Sequence, residues 1–167
     1  MGILMILVTL GTQDKQFPRL LKAVEKAVKE KYISDRVVVQ AGHTKYESAC
    51  MEIFDFIPND QFASFLQEAD LIITHGGVGT IMTALREHKK ILAAARSVKY
   101  GEHQSDHQIQ LLEEFDADGY LIFMRDLDDI HPYLEKAVSF VPKSYESNTA
   151  SMISLIEDWI SSHPTRG

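Results

Sequence analysis

Six short apolar runs, at residues 4–10, 36–41, 52–56, 71–74, 91–95 and 120–123, alternate with stretches whose apolar positions recur at helical spacing. Within several runs the apolar residues are consecutive, the pattern of strands buried on both faces. Between the first two, Phe17, Leu20, Leu21, Val24 and Val28 share one helical face, and after the third, Phe62, Phe65 and Leu66 follow an Asn59-Asp60 cap. Further helices are expected at 80–87, 104–115, 127–139 and 148–160. This alternation predicts an α/β fold, a Rossmann-like, mostly parallel sheet with helices on both faces. Ligands of such sheets bind beyond the carboxyl ends of the strands.

The fourth run breaks straight into a glycine-rich turn, LIITHGGVGT, at residues 71–80. Gly76, Gly77 and Gly79 permit backbone angles and close approaches that a Cβ forbids, so the N–H groups around Val78 and Thr80 are able to converge on an anion. The helix that follows adds about half a positive charge at its N-terminus. A diphosphate ligand fits this turn, and a ligand-free strand-to-helix turn is the alternative. Gly11-Thr12-Gln13 and the segment after Ala95 also follow strands, so three loops converge on one crevice.

At 167 residues the chain is long enough for one domain with a proper core, and it contains no repeat, low-complexity stretch or linker. We expect residues 1–167 to form a single domain. The lone Cys50 forms no internal disulfide and suits a reducing compartment, so a cytoplasmic location is expected. A formal net charge of -7, without a dense basic cluster, argues against a nucleic-acid partner. The opening apolar run, residues 3–10, has no basic leader and ends at Gly11-Thr12. It reads as a strand, not as a signal peptide or membrane span.

After the fifth run comes ARSVKYGEHQSDHQ, which crowds Arg96, Lys99, Glu102, His103, Asp106, His107 and Gln108 together. Three readings stand. With a helix from Gln104, His103 and His107 lie one turn apart beside Asp106, in reach of a divalent metal. Alternatively Glu102 and His103 cap that helix and Asp106 and His107 form a solvated face. In the third, Arg96 or Lys99 lies near phosphate and the amides and carboxylates read sugar or base hydroxyls. No third loop offers further metal ligands, so no metal site is expected.

The strings ITHGGVGTIMTAL and AARSVKYGEHQSDHQIQLLEEF resemble the C-terminal, donor-binding part of glycosyltransferase family 28, and ILVTLGTQDKQFPRLLKAVE looks like the start of its short, stand-alone members. These include bacterial polysaccharide glycosyltransferases and the catalytic subunit of the eukaryotic two-part enzyme that adds the second GlcNAc to dolichol-diphosphate-GlcNAc. The resemblance implies the UDP-sugar half of a split GT-B architecture, with a membrane-anchored partner supplying the acceptor half. It implies transfer of a hexose or N-acetylhexosamine to a lipid-diphosphate-linked saccharide acceptor at the inner membrane face, with inversion and no required metal or other cofactor.

Carried over by position, Gly11, Thr12 and Gln13 lie near diphosphate or sugar, and His75 with the turn Gly76, Gly77, Val78, Gly79, Thr80 holds phosphate. Glu102, His103, Asp106, His107 and Gln108 address the sugar and its leaving diphosphate. Local candidates for the catalytic base are His75, Glu102 and His103, unless the partner supplies it. Thr83 stands where the family often carries a ribose-gripping glutamate, and His88-Lys89-Lys90 stands where a glycine commonly ends that helix. Thr83 favours one rival reading, a non-catalytic nucleotide-sugar-binding module. A nucleotide-sugar epimerase on a related fold needs a chain about twice as long, and a dinucleotide oxidoreductase needs a G-x-G-x-x-G that Gly11-Thr12-Gln13-Asp14 lacks. Met152, Leu155, Ile156, Trp159 and Ile160 form an apolar stripe, for packing on the same domain or for docking the partner.

Overall fold

The computed structural model describes residues 5–103 and 106–145, together with 154, 156–158 and 161. Six strands form one sheet: β1 (Met5–Thr9), β2 (Arg36–Gln40), β3 (Glu52–Phe54), β4 (Leu71–Thr74), β5 (Lys90–Ala93) and β6 (Ile122–Phe123). Their order is β3-β2-β1-β4-β5-β6, and every pairing is parallel. β1 lies at the centre, with Leu7 opposite Val38 on one side and Ile72 on the other. All five of its residues are buried. A strand with neighbours on both edges and helices on both faces buries every side chain, which is why this run is apolar from Met5 to Val8 and turns polar only at Thr9, whose hydroxyl accepts from the Gly11 N–H at 3.5 Å.

Alternation across β1 splits the core. Ile6 and Val8 pack on the face covered by α1 (Pro18–Lys29) and α5 (His131–Ser139). Met5 and Leu7 pack on the face covered by α2 (Asn59–Glu68), α3 (Val78–Arg86) and α4 (His107–Ala117). Ile156 and Tyr145 are half-buried against this second face. Met152, Leu155, Trp159 and Ile160 of the expected last helix lie outside the described residues.

All six strand runs and five helices fall where the hydrophobic pattern predicts them, and the sheet is wholly rather than mostly parallel. The differences are at helix starts. α5 begins at His131 instead of 127, because the Asp126 carboxylate accepts from the Asp128 N–H (2.9 Å) and that of Asp129 from the His131 N–H (3.0 Å). Such aspartate turns hold the segment out of the helix. α4 begins at His107, so His103 lies ahead of the helix and not one turn from His107 within it. Its N-cap position is Asp106 rather than Glu102 or His103.

Successive strands step one way from β1 to β3 and the other way from β4 to β6, so the winding reverses between β1 and β4. Open parallel sheets bind ligands outside the strand ends at such a reversal. Gly11 and the His75 turn flank it directly.

Candidate functional site

The His75 imidazole sits at the centre of the reversal, 7% exposed, with Nδ1 3.3 Å from the Thr9 carbonyl and 3.4 Å from the Thr74 hydroxyl. A carbonyl only accepts, so Nδ1 carries the proton and Nε2 is left as an acceptor. The ring is sandwiched by glycines. A Cβ on Gly11 or on Gly77 would come within 2.6 or 2.7 Å of its Cε1. Gly11 also has φ +74°, so both its conformation and its neighbour require glycine. Burial, aided by the Arg96 charge, pushes the imidazole down from 6.5 to about 4. His75 is therefore neutral at physiological pH.

Gly76 takes φ +84°, and Gly77 in extended conformation leads into α3. Val78, Gly79 and Thr80 form the first turn, whose N–H groups have no carbonyl one turn earlier to receive them. A Cβ on Gly79 would meet no atom within 4 Å, so packing does not demand glycine there. A bare backbone at an open helix N-terminus is a surface that an anion is able to approach closely. Gln108, from α4, lies across Gly76, its Nε2 3.3 Å from where a Cβ would stand. Its Oε1 is buried and accepts no hydrogen bond, an acceptor at the edge of the turn. The Thr83 hydroxyl, one turn into α3, donates back to the Gly79 carbonyl at 2.9 Å.

The third loop, after β5, is tied down by Glu102. Both its oxygens are gripped by Arg19, from Nε and Nη2 at 2.9 Å each, and Oε2 also accepts from the Ser97 N–H at 3.0 Å. Within this loop Ser97 caps a single 3₁₀ turn, Val98–Tyr100, and the Val98 N–H donates to Asp106 at 3.1 Å. Asp106 thus braces the loop, and its own N–H-capping role at α4 is not taken up by its side chain.

The Arg96 guanidinium is turned into the fold, with its Nε buried and without a hydrogen-bond partner. The residue is 1% exposed, donates to the carbonyls of Leu10 and Lys15 at 3.1 Å each, and lies over the Phe17 ring. Its contribution is to hold the loop that carries Gly11, Thr12 and Gln13. Thr12 and Gln13 are exposed on that loop, His103 is half-buried and His107 is exposed. Among the described residues no three His, Cys, Asp or Glu side chains are grouped to hold a metal ion.

Of the three candidate bases, His75 has little proton affinity at neutral pH and both oxygens of Glu102 are bound within the fold; His103 stands beside the loop with part of its surface open. Arg19, absent from the expected site, completes it. Its partner is 83 residues away, and nothing in the local pattern of α1 marks it. Exposed Phe56, edge-on to His43 with ring centroids 5.3 Å apart, stands on the β2–β3 side of the same carboxyl rim.

Residues 5–161 match the glycosyltransferase family 28 C-terminal domain. Two curated proteins named UDP-N-acetylglucosamine transferase subunit ALG13 are similar in sequence. The one from Debaryomyces hansenii is 29% identical over 80 residues, 48% of this chain and 37% of that protein. The one from Eremothecium gossypii is 27% identical over 109 residues, 62% of this chain and 52% of that protein. The matched segments thus span about half or less of those relatives' length. In structure, the chain resembles the solution structure of ALG13 with a TM-score of 0.59 at 17% identity, over 92% of this chain and 94% of that one. It also resembles CalG4, the calicheamicin glycosyltransferase, with a TM-score of 0.61 at 18% identity, over 95% of this chain and 38% of that one. The fold is that of one half of a GT-B glycosyltransferase, and the chain belongs to the glycosyltransferase family 28 C-terminal domain family.

Proposed function

We propose that the chain is the donor-binding subunit of a UDP-sugar glycosyltransferase, transferring a hexose or N-acetylhexosamine to a lipid-diphosphate-linked acceptor. The observation that carries this is the open N-terminus of α3, where Gly79 leaves bare backbone beside the His75 turn at the winding reversal. The diphosphate of the donor lies against the N–H groups of Val78, Gly79 and Thr80. As the bond to the sugar breaks, charge builds on the leaving UDP, and these N–H groups and the helix dipole stabilise it without a metal. Neutral His75 keeps Nε2 as an acceptor beside the turn, and the open oxygen of Gln108 accepts from a sugar hydroxyl. The curated relatives are named as N-acetylglucosamine transferase subunits, which makes UDP-N-acetylglucosamine the first donor to test.

With His75 nearly non-basic and Glu102 internally bound, the base that deprotonates the acceptor is His103 or a group on a membrane-anchored partner subunit, with inversion at the anomeric carbon. The whole chain then works as one unit on the cytoplasmic face of the membrane. No described helix is long and apolar enough to cross a membrane; in this reading the partner holds the chain at the membrane.

A second reading, a nucleotide-sugar-binding module without turnover, is favoured by Thr83, whose hydroxyl proton is already given to the Gly79 carbonyl. Calorimetric titration with UDP, ADP and UDP-sugars tests the first step. UDP binding in preference to ADP, weakened by Gly79→Val, supports the donor site, and its absence removes it. Sugar transfer in the presence of the partner then separates subunit from module.

A further inference from the structure

Beyond the carboxyl ends of β5 and β6 lies a second cavity, of about 220 Å³. No residue of the His75 turn lines it; it shares the Ser97–Tyr100 stretch and Arg19 with the site described above. Sites for drug-sized ligands run to about 300–1,000 Å³, so this cavity takes a single ring and not a nucleotide. Its floor is apolar, from Ala95, Met124 and Leu127, with Ile109 and the half-exposed Tyr100 ring at its sides.

Its polar groups are of both signs. Arg19 is paired with Glu102 at 2.9 Å, and Arg125 with Asp116 at 3.1 Å. Asp126 and Asp128 add carboxylates, and Lys99 adds an ammonium 5.3 Å from the centre of the Tyr100 ring. With two of its three cations already neutralised, the cavity holds no surplus positive charge to attract an anion. It offers donors and acceptors together over an apolar floor. A pyranose has the matching character: a C–H face for the floor and a rim of hydroxyls that both donate and accept.

We propose that this cavity is a saccharide subsite that takes one neutral pyranose ring. Its assignment to the acceptor, as opposed to the donor, rests on the transferase reading above and on its separation from the glycine turn.

The test is an amide-shift NMR titration of the full chain with glucose, galactose and N-acetylglucosamine, and with glucuronate and inorganic phosphate as anionic probes. Each series is run with and without UDP. At least one neutral sugar is expected to shift Ser97, Tyr100 and Leu127 saturably, and Asp128→Asn to weaken it at least tenfold with UDP affinity unchanged. No saturable shift up to roughly 0.1 M of any neutral sugar overturns the subsite. So do shifts confined to the His75 turn, or phosphate or glucuronate saturating at tenfold lower concentration than every neutral sugar. UDP shifting the turn while no sugar reaches the cavity overturns the subsite alone. Sugar binding in the cavity without UDP binding keeps the subsite and overturns the donor reading.

Discussion

Arg19, at the start of α1, holds both carboxylate oxygens of Glu102 at 2.9 Å, 83 residues along the chain, and so fastens the loop after β5 to the helix after β1. Glu102 is 7% exposed in its side chain and Arg19 25%. The pair is thus desolvated on the acid's side, and removing the arginine strands a buried carboxylate. We expect Arg19→Met to cost about 2 kcal/mol, below the figure for fully buried pairs because Arg19 is partly hydrated. Arg19→Lys should recover little, since a single ammonium does not reproduce the two-pronged grip. Urea denaturation of Arg19→Met, Glu102→Gln and the double variant checks this: the double variant should be more stable than Arg19→Met alone.

Gly77 and Gly79 are two residues apart and should behave in opposite ways. At Gly77 a methyl group would stand 2.7 Å from the His75 ring, so Gly77→Ala forces the imidazole or the turn to move, at about 1–3 kcal/mol. At Gly79 a methyl group meets nothing, and the helical position gains about 0.5–1 kcal/mol with alanine. Yet Gly79→Ala should weaken UDP binding, because the methyl group stands on the surface the diphosphate approaches. Thermal melts with and without UDP read both effects. A Gly79→Ala variant that binds UDP as the parent does would remove the diphosphate from this turn.

The sheet was legible because its strands are apolar on both faces, as in residues 71–74, and helix spacing alone places the elements between them. The glycine turn was legible because glycine spacing after a strand is a local signal. What escaped are relations between distant residues. Glu102 and Arg96 read as ligand groups when viewed along the chain; one is held by Arg19 and the other by the carbonyls of Leu10 and Lys15. Nothing within ten residues of either reveals such a partner. The start of α5 escaped for a smaller reason, the aspartate side chains that compete with the helix for backbone N–H groups.

His75 makes stability depend on pH. Its pKa is about 4 in the fold against 6.5 for an ordinary imidazole, so between these values the unfolded chain binds a proton that the folded chain refuses. The stability this gives is fully present above pH 6.5 and is lost as the pH falls toward 4. The difference corresponds to about 3 kcal/mol. In His75→Phe, which keeps a flat ring between Gly11 and Gly77, that part of the slope should vanish. Denaturant midpoints at pH 4.5 and 7 for both proteins measure it; equal slopes would mean that His75 is hydrated in the fold.

His88 follows the last turn of α3 with φ +54°, in the left-handed region where glycine is at ease and an imidazole-bearing residue is strained. Its side chain is exposed, so nothing is lost from the core by removing it. The bend it makes is used: the next residue, Lys89, donates its ammonium to the carbonyls of Gln67 and Ala69 at 2.6 and 2.8 Å, closing the C-terminal end of α2. His88→Gly keeps the bend and relieves the strain, but it also gives the unfolded chain more freedom, so the net gain should be about 0.5–1 kcal/mol. Lys89→Met should cost a comparable amount by leaving the end of α2 uncapped. Because both positions lie at the far end of α3 from the His75 turn, melting temperatures should move in opposite directions while UDP affinity stays the same.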